Sequence, residues 1–194
     1  MIGWELPTSI DIDGTSFKIR TDYRVILDIL AMCQDPDLPE EAKAQGVLEI
    51  LYEDYEKVLS LDKEHLKEAL SKANDFIDCG MKDDGTKKPR LMDWEGDAPI
   101  LVPAINAVAG KEVRAEPYIH WWTFMGWYME IHEGLFSQVL SIRQKKSKGK
   151  KLEKHEMEFY RSNRNMIDLG RKKSEKEMEE ERRDKEALEK LWGK

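Results

Sequence analysis

The stretch "IHWWTFMGWYMEIH", Ile119 to His132, constrains this chain more than any other. It holds three of the six tryptophans, together with Phe124, Tyr128 and two methionines. With Trp121 at zero and a step of about 100° per residue, Trp122, Phe124, Met125, Trp127, Tyr128, Met129 and Ile131 fill an arc of roughly 220°. A helix at the rim of a one-sided core needs an apolar stripe nearer 100° wide. The helix must therefore be central to its own fold, or share its surplus face with a partner. Pro117 is expected to open it, and Gly134 to break or bend it.

The rest of the chain reads mainly as helices. "SIDIDGTSFKIR" alternates on both sides of Asp13-Gly14, with Ile10 and Ile12 on one face and Phe17 and Ile19 on another. Asp-Gly favours a type I′ turn, whose two central positions need positive φ, so a short hairpin is predicted. Thr21 or Asp22 caps a helix with apolar positions Tyr23, Ile26, Leu27, Leu30 and Ala31. "QDPDLPEE" separates it from a second helix that starts near Pro39 and continues as a stripe through Val47, Leu48, Leu51, Tyr52 and Tyr55. Asp62 caps a third, carrying Leu66, Leu70, Ala73 and Ile77 and ended by Gly80.

Residues 80–96 read as a long polar loop with an isolated Trp94. Asp97 then caps "APILVPAINAVAG", where Pro103 allows a kink or a late start and Gly110 ends the helix. After the aromatic helix and "LFSQVLSIRQ", the basic "KKSKGKK" reads as a connection to a helix around Leu152–Leu169. The final stretch is nearly all charge, with Glu179–Arg183, Glu181–Lys185 and Glu186–Lys190 at helix-supporting spacing. The fold expected is mainly α: an acidic helical body over 1–144 with an N-terminal hairpin, a basic linker and helix over 145–170, and an exposed charged helical arm over 171–194.

Charge narrows the function classes. Residues 145–194 hold 17 Lys and Arg against 12 Asp and Glu, a balance of +5; the net charge of −7 leaves −12 on the first 144 residues. An acidic body argues against nucleic acid as the partner. Cys33 and Cys79 are far apart and lack metal spacing, so both are expected as reduced, half-buried thiols of a cytosolic protein. No window approaches about 18 consecutive apolar residues, and the N-terminus lacks a signal-peptide pattern, so no membrane partner is expected.

Chemical motifs are few. "DIDGT", Asp11 to Thr15, matches the D-x-D-x-T motif of haloacid-dehalogenase-type phosphatases, where one Asp attacks phosphorus beside Mg²⁺. That chemistry needs a buried strand before the first Asp and a parallel sheet; "ELPTS" and an alternating strand flank it instead, which favours the turn. "KDDG" at 82–85 sits in a polar loop. His65, His120, His132 and His155 show no ligand spacing and are expected at surface or boundary positions. No P-loop, nucleophile elbow or dinucleotide fingerprint is present. Neither a catalytic residue, a metal nor a cofactor is expected.

Three stretches carry a likeness: "FKIRTDYRVILDILAMCQDPDLPEEAKAQGVLEILYED", "LMDWEGDAPILVPAINAVAG", and "YIHWWTFMGWYMEI" followed by "FSQVLSIRQKKSKGKKLEKHEMEFYRSNRNMIDL". In them, over most of residues 17–169, the chain resembles the bacteriophage tail assembly chaperones, in particular the Gp-type subgroup of long-tailed phages of Gram-positive bacteria. The resemblance implies a helical, non-enzymatic protein of the host cytoplasm. It would bind the tape-measure protein, support assembly of the tail-tube protein around it, and leave the finished particle; self-association is a further possible partnership. A structural or connector component retained in the virion is the alternative, and a Mg²⁺-dependent phosphohydrolase built on Asp11 and Asp13 a distant third. The residues expected to serve core and interface together are Trp121, Trp122, Phe124, Trp127 and Tyr128, with Trp94.

Overall fold

The computed structural model describes residues 4–81 and 89–169, together with Arg183. The charged arm over 171–194 and the "KDDG" stretch thus fall outside the described residues, Arg183 apart. Among those described, the fold is mainly helical with one two-stranded antiparallel sheet. No helix among them is long and apolar enough to cross a membrane.

The hairpin forms where the Asp-Gly signal places it. β1 (Ser9–Ile12) pairs with β2 (Thr15–Lys18), Ile10 opposite Phe17 and Ile12 opposite Thr15. Asp13 and Gly14 both take positive φ, 46° and 74°, the type I′ geometry that matches strand twist. Ile10 and Ile12 turn into the core.

α1 (Tyr23–Cys33) is capped by Asp22, whose carboxylate accepts from the Arg24 amide at 3.0 Å. Its deepest residues are Tyr23, Ile26 and Ile29; Leu27 and Leu30 lie half-buried beside them. The i, i+3 edge of the apolar stripe, rather than the expected i+4 edge, points inward. α2 (Glu40–Leu51) follows, with Pro39 at its cap. It does not continue to Tyr55. Tyr52 is extended and bridges Ile19, and the Arg20 guanidinium gathers the carbonyls of Glu49, Ile50 and Tyr52 at 2.7–3.1 Å. A cation on the last carbonyls of a helix satisfies groups that further helix would otherwise use. Tyr55 instead starts the short α3 (Tyr55–Leu59) and is exposed.

α4 (Lys63–Ile77) begins at Asp62, which accepts from the amides of Glu64 and His65. Such a cap stabilises a helix by about 1 kcal/mol. α5 (Ala98–Ala109) carries Pro103 inside it and ends at Gly110, whose φ of 69° is the left-handed geometry of a helix end. After a 3-10 turn at Val113–Ala115 come α6 (Trp121–Met129), α7 (Leu135–Ser147), α8 (Lys154–Ser162) and α9 (Arg164–Ile167). The aromatic helix is shorter than expected: residues 117–120 are not helical. The helix expected around 152–169 is broken at Asn163, and α7 takes up Lys145–Ser147 from the basic connection, crossing the 144/145 boundary.

Burial falls into two clusters. The larger joins the hairpin, α1, α2, α4, α5 and α6; the smaller is formed by Val139, Ile142, Leu152 and Ile167 from α7 to α9.

Candidate partner-binding surface

α6 is fixed at its start by α1. Tyr23 donates its amide to the Ile119 carbonyl (2.9 Å) and Trp121 its amide to that of Thr21 (2.7 Å), while the Asp22 carboxylate also accepts from the Ile119 amide. The Thr21 hydroxyl meets the Tyr118 hydroxyl at 2.7 Å. His120, expected at the surface or a boundary, is buried and caps the helix. Its Nδ1 accepts from the Trp122 amide (3.0 Å), which leaves Nε2–H to donate to the Pro7 carbonyl (2.9 Å). The non-helical lead-in from Pro117 to His120 is thus used in pairing with residues 21–23.

This anchoring turns Trp121 and Phe124 inward, where they are 1% and 2% exposed. Tyr23 stacks on Phe124 with ring centres 4.4 Å apart, and Phe124 on Trp121 at 5.8 Å. Trp94 is not isolated. Though its segment is non-helical, its ring lies half-buried 6.1 Å from Trp121 and 5.4 Å from Tyr128, which meets Phe136 at 6.0 Å. Offset and edge contacts of this kind add about 0.5–1.5 kcal/mol each beyond burial. The two adjacent indoles do a second job. Trp121 Nε1–H donates to the Ile77 carbonyl (2.8 Å) and Trp122 Nε1–H to that of Phe76 (2.9 Å), satisfying acceptors at the C-terminus of α4. Trp122 is half-buried against Phe76, and Trp127 half-buried with the Lys111 ammonium 5.5 Å from its ring centre.

Most of the wide aromatic face is therefore covered by this chain's own helices. The remainder surfaces at the corner between α6 and α7. Met129 and Leu135 are 44% and 43% exposed, and Ile131 is half-buried beside them. Met129 and Ile131, with Tyr128, Leu140 and Leu91, border an open groove of about 400 Å³, edged by His132, Ser141 and Gln144. Burial pushes the Tyr128 hydroxyl above its ordinary range. An apolar floor with a polar edge, offering Met129 as an adaptable contact, suits an apolar side chain from another protein. Of the six residues named from sequence, Tyr128 lines this groove; Trp121 and Phe124 are enclosed in the core beneath.

Sequence reasoning missed the most buried charges in the fold. Asp97 holds the cap position of α5, yet its side chain caps nothing there. It forms a two-pronged pair with Arg143 of α7 at 2.6 and 2.8 Å, both residues buried. Arg143 also donates to the carbonyls of Leu91, Met166 and Ile167 at 2.7–3.0 Å, and Asp97 accepts from the Asp93 amide. The pair joins α5, α7, α9 and the 91–97 segment. The single arginine inside the "LFSQVLSIRQ" apolar pattern was its only sequence signal.

Asp11–Thr15 builds the hairpin. The Asp13 carboxylate lies 3.4 Å from His65 Nε2, while His65 Nδ1 meets Asp62 at 2.8 Å, and Lys72 donates to the Asp11 carbonyl. The bond to Asp62 raises the His65 pKa, and the bond from the His65 amide lowers that of Asp62. These contacts tether the turn to α4. Cys33 and Cys79 are free and half-buried; burial pushes both thiols up, Cys79 to about 11.

The chain belongs to the bacteriophage Gp15 protein family, whose model matches residues 4–169. No curated protein and no solved structure matches it.

Proposed function

We propose that this phage protein is a tail assembly chaperone that binds the tape-measure protein in the host cytoplasm and supports assembly of the tail tube around it. The observation that carries the reading is the groove at the α6–α7 corner, where Tyr128, Met129, Ile131 and Leu140 continue the aromatic core out to the surface. A long helical client presents apolar side chains at i, i+3, i+4 and i+7, and such a stripe lies in an apolar groove of this kind. The acidic charge elsewhere keeps the complex soluble. Binding of this type is reversible and non-catalytic, which fits release before the particle is complete.

Co-expression with fragments of the cognate tape-measure protein tests the reading. The chaperone is expected to keep an otherwise insoluble fragment in solution and to co-purify with it, and to be absent from purified virions by mass spectrometry. Stoichiometric retention in virions would assign the chain instead to a connector or structural role.

A further inference from the structure

A second surface, sharing no residue with the α6–α7 corner, lies on α8. Lys154, Met157, Glu158 and Arg161 follow the i, i+3, i+4, i+7 spacing of one helical face. With Lys151, Leu152 and Glu153 from the preceding loop they line an open groove of about 600 Å³. Leu152 and Met157 form its apolar floor and pack into the smaller cluster. Its cations differ from their neighbours. Lys145 is paired with Glu156 at 2.6 Å, and Lys146 and Arg164 both with Asp168. Among the described residues, Lys151, Lys154 and Arg161 have no carboxylate partner.

We propose that this groove docks an acidic amphipathic peptide segment of a partner protein. An apolar side chain of the segment rests on Leu152 and Met157, while its carboxylates meet Lys151, Lys154 and Arg161. Charge complementarity identifies the occupant: three unmatched cations surround an apolar floor in a chain whose body is acidic. A phosphate backbone fits less well. Glu153 and Glu158 stand on the same rim and would repel a continuous run of phosphates, whereas a peptide can place its carboxylates against the three cations and neutral residues against the two glutamates. The residues lining the groove include no aromatic ring to stack a base. The proposal stands independently of the tape-measure reading.

The test uses the full-length protein and fluorescence anisotropy. The probes are a short helical Glu/Leu peptide, the same peptide with Leu replaced by Ser, its Lys/Leu counterpart, and a single-stranded oligothymidine. The Glu/Leu peptide is expected to bind best and to weaken as salt rises. Binding should weaken about tenfold or more in Lys154→Glu/Arg161→Glu, charge reversal on a matched rim being strongly unfavourable. Met157→Gln should weaken it too, with far-ultraviolet circular dichroism at the assay temperature showing that the variant is folded. The proposal is overturned if the Glu/Leu peptide does not bind, if the Ser peptide binds equally well, if the variants bind as wild type does, or if oligothymidine binds more tightly.

Discussion

The two buried clusters are held together by different physics. Around α6 the ties between elements are rings, indole N–H groups and backbone pairs: Tyr23 on Phe124, Trp121 and Trp122 on the end of α4, residues 21–23 against 119–121. In the smaller cluster four apolar residues are buried among the described residues, and the elements are joined by charge: Arg143 to Asp97, Lys145 to Glu156, Lys146 to Asp168. The larger cluster also has depressed carboxylates, such as Glu112 at about 2, held there by Arg114, but Glu112 and Arg114 are two residues apart. A small cluster that cannot gain enough from area must be fixed by directional bonds, and such bonds fail differently from packing.

The largest effect expected is at Arg143. Arg143→Met leaves Asp97 charged and buried without its partner, a loss of about 3–5 kcal/mol. The double substitution Arg143→Met/Asp97→Leu should recover only part of it: the unpaired carboxylate is gone, but the carbonyls of Leu91, Met166 and Ile167 and the Asp93 amide have lost their partners. Urea denaturation of the three proteins measures this. A double variant as stable as the wild type would break the contrast between the clusters.

Next comes Trp122→Phe, which keeps a ring against Phe76 but removes the donor to its carbonyl. The Cys79 amide also reaches that carbonyl, so the expected cost is about 1 kcal/mol. No measurable cost would mean that the second indole contributes by area alone.

Acid should separate the clusters more gently. Lys145 holds Glu156, and Lys146 holds Asp168, below the usual carboxylate range. A depressed carboxylate contributes stability that is fully present above its unfolded value, near 4, and is lost as pH falls through the lower folded value. Methyl resonances of Val139 and Ile167 should therefore shift or broaden on acidification below about pH 4 before those of Ile26 and Ile105 do. Simultaneous change in both sets would contradict an ionic tie specific to α7–α9.

What was legible in the sequence follows the same division. Turn and cap chemistry acts within a few residues, so Asp13-Gly14, Asp22, Asp62 and Gly110 could be placed without a fold. The width of the aromatic arc was legible too, but not what covers it. Trp94 looked isolated because its partners, Trp121 and Tyr128, lie far along the chain. Asp97 looked like an ordinary cap because Arg143 is 46 residues away. The end of α2 was misread because Arg20, about 30 residues upstream, takes its last carbonyls. Among the described residues, the covering of the aromatic helix leaves an apolar edge exposed at the α6–α7 corner.

Site-specific photo-crosslinking tests that edge most directly. A photoreactive phenylalanine analogue at Met129, and separately at Tyr55, is irradiated in a complex with a tape-measure fragment. Both positions are exposed, but only Met129 borders the groove. The account predicts an adduct from Met129 and none from Tyr55; an adduct from Tyr55 with none from Met129 would contradict it.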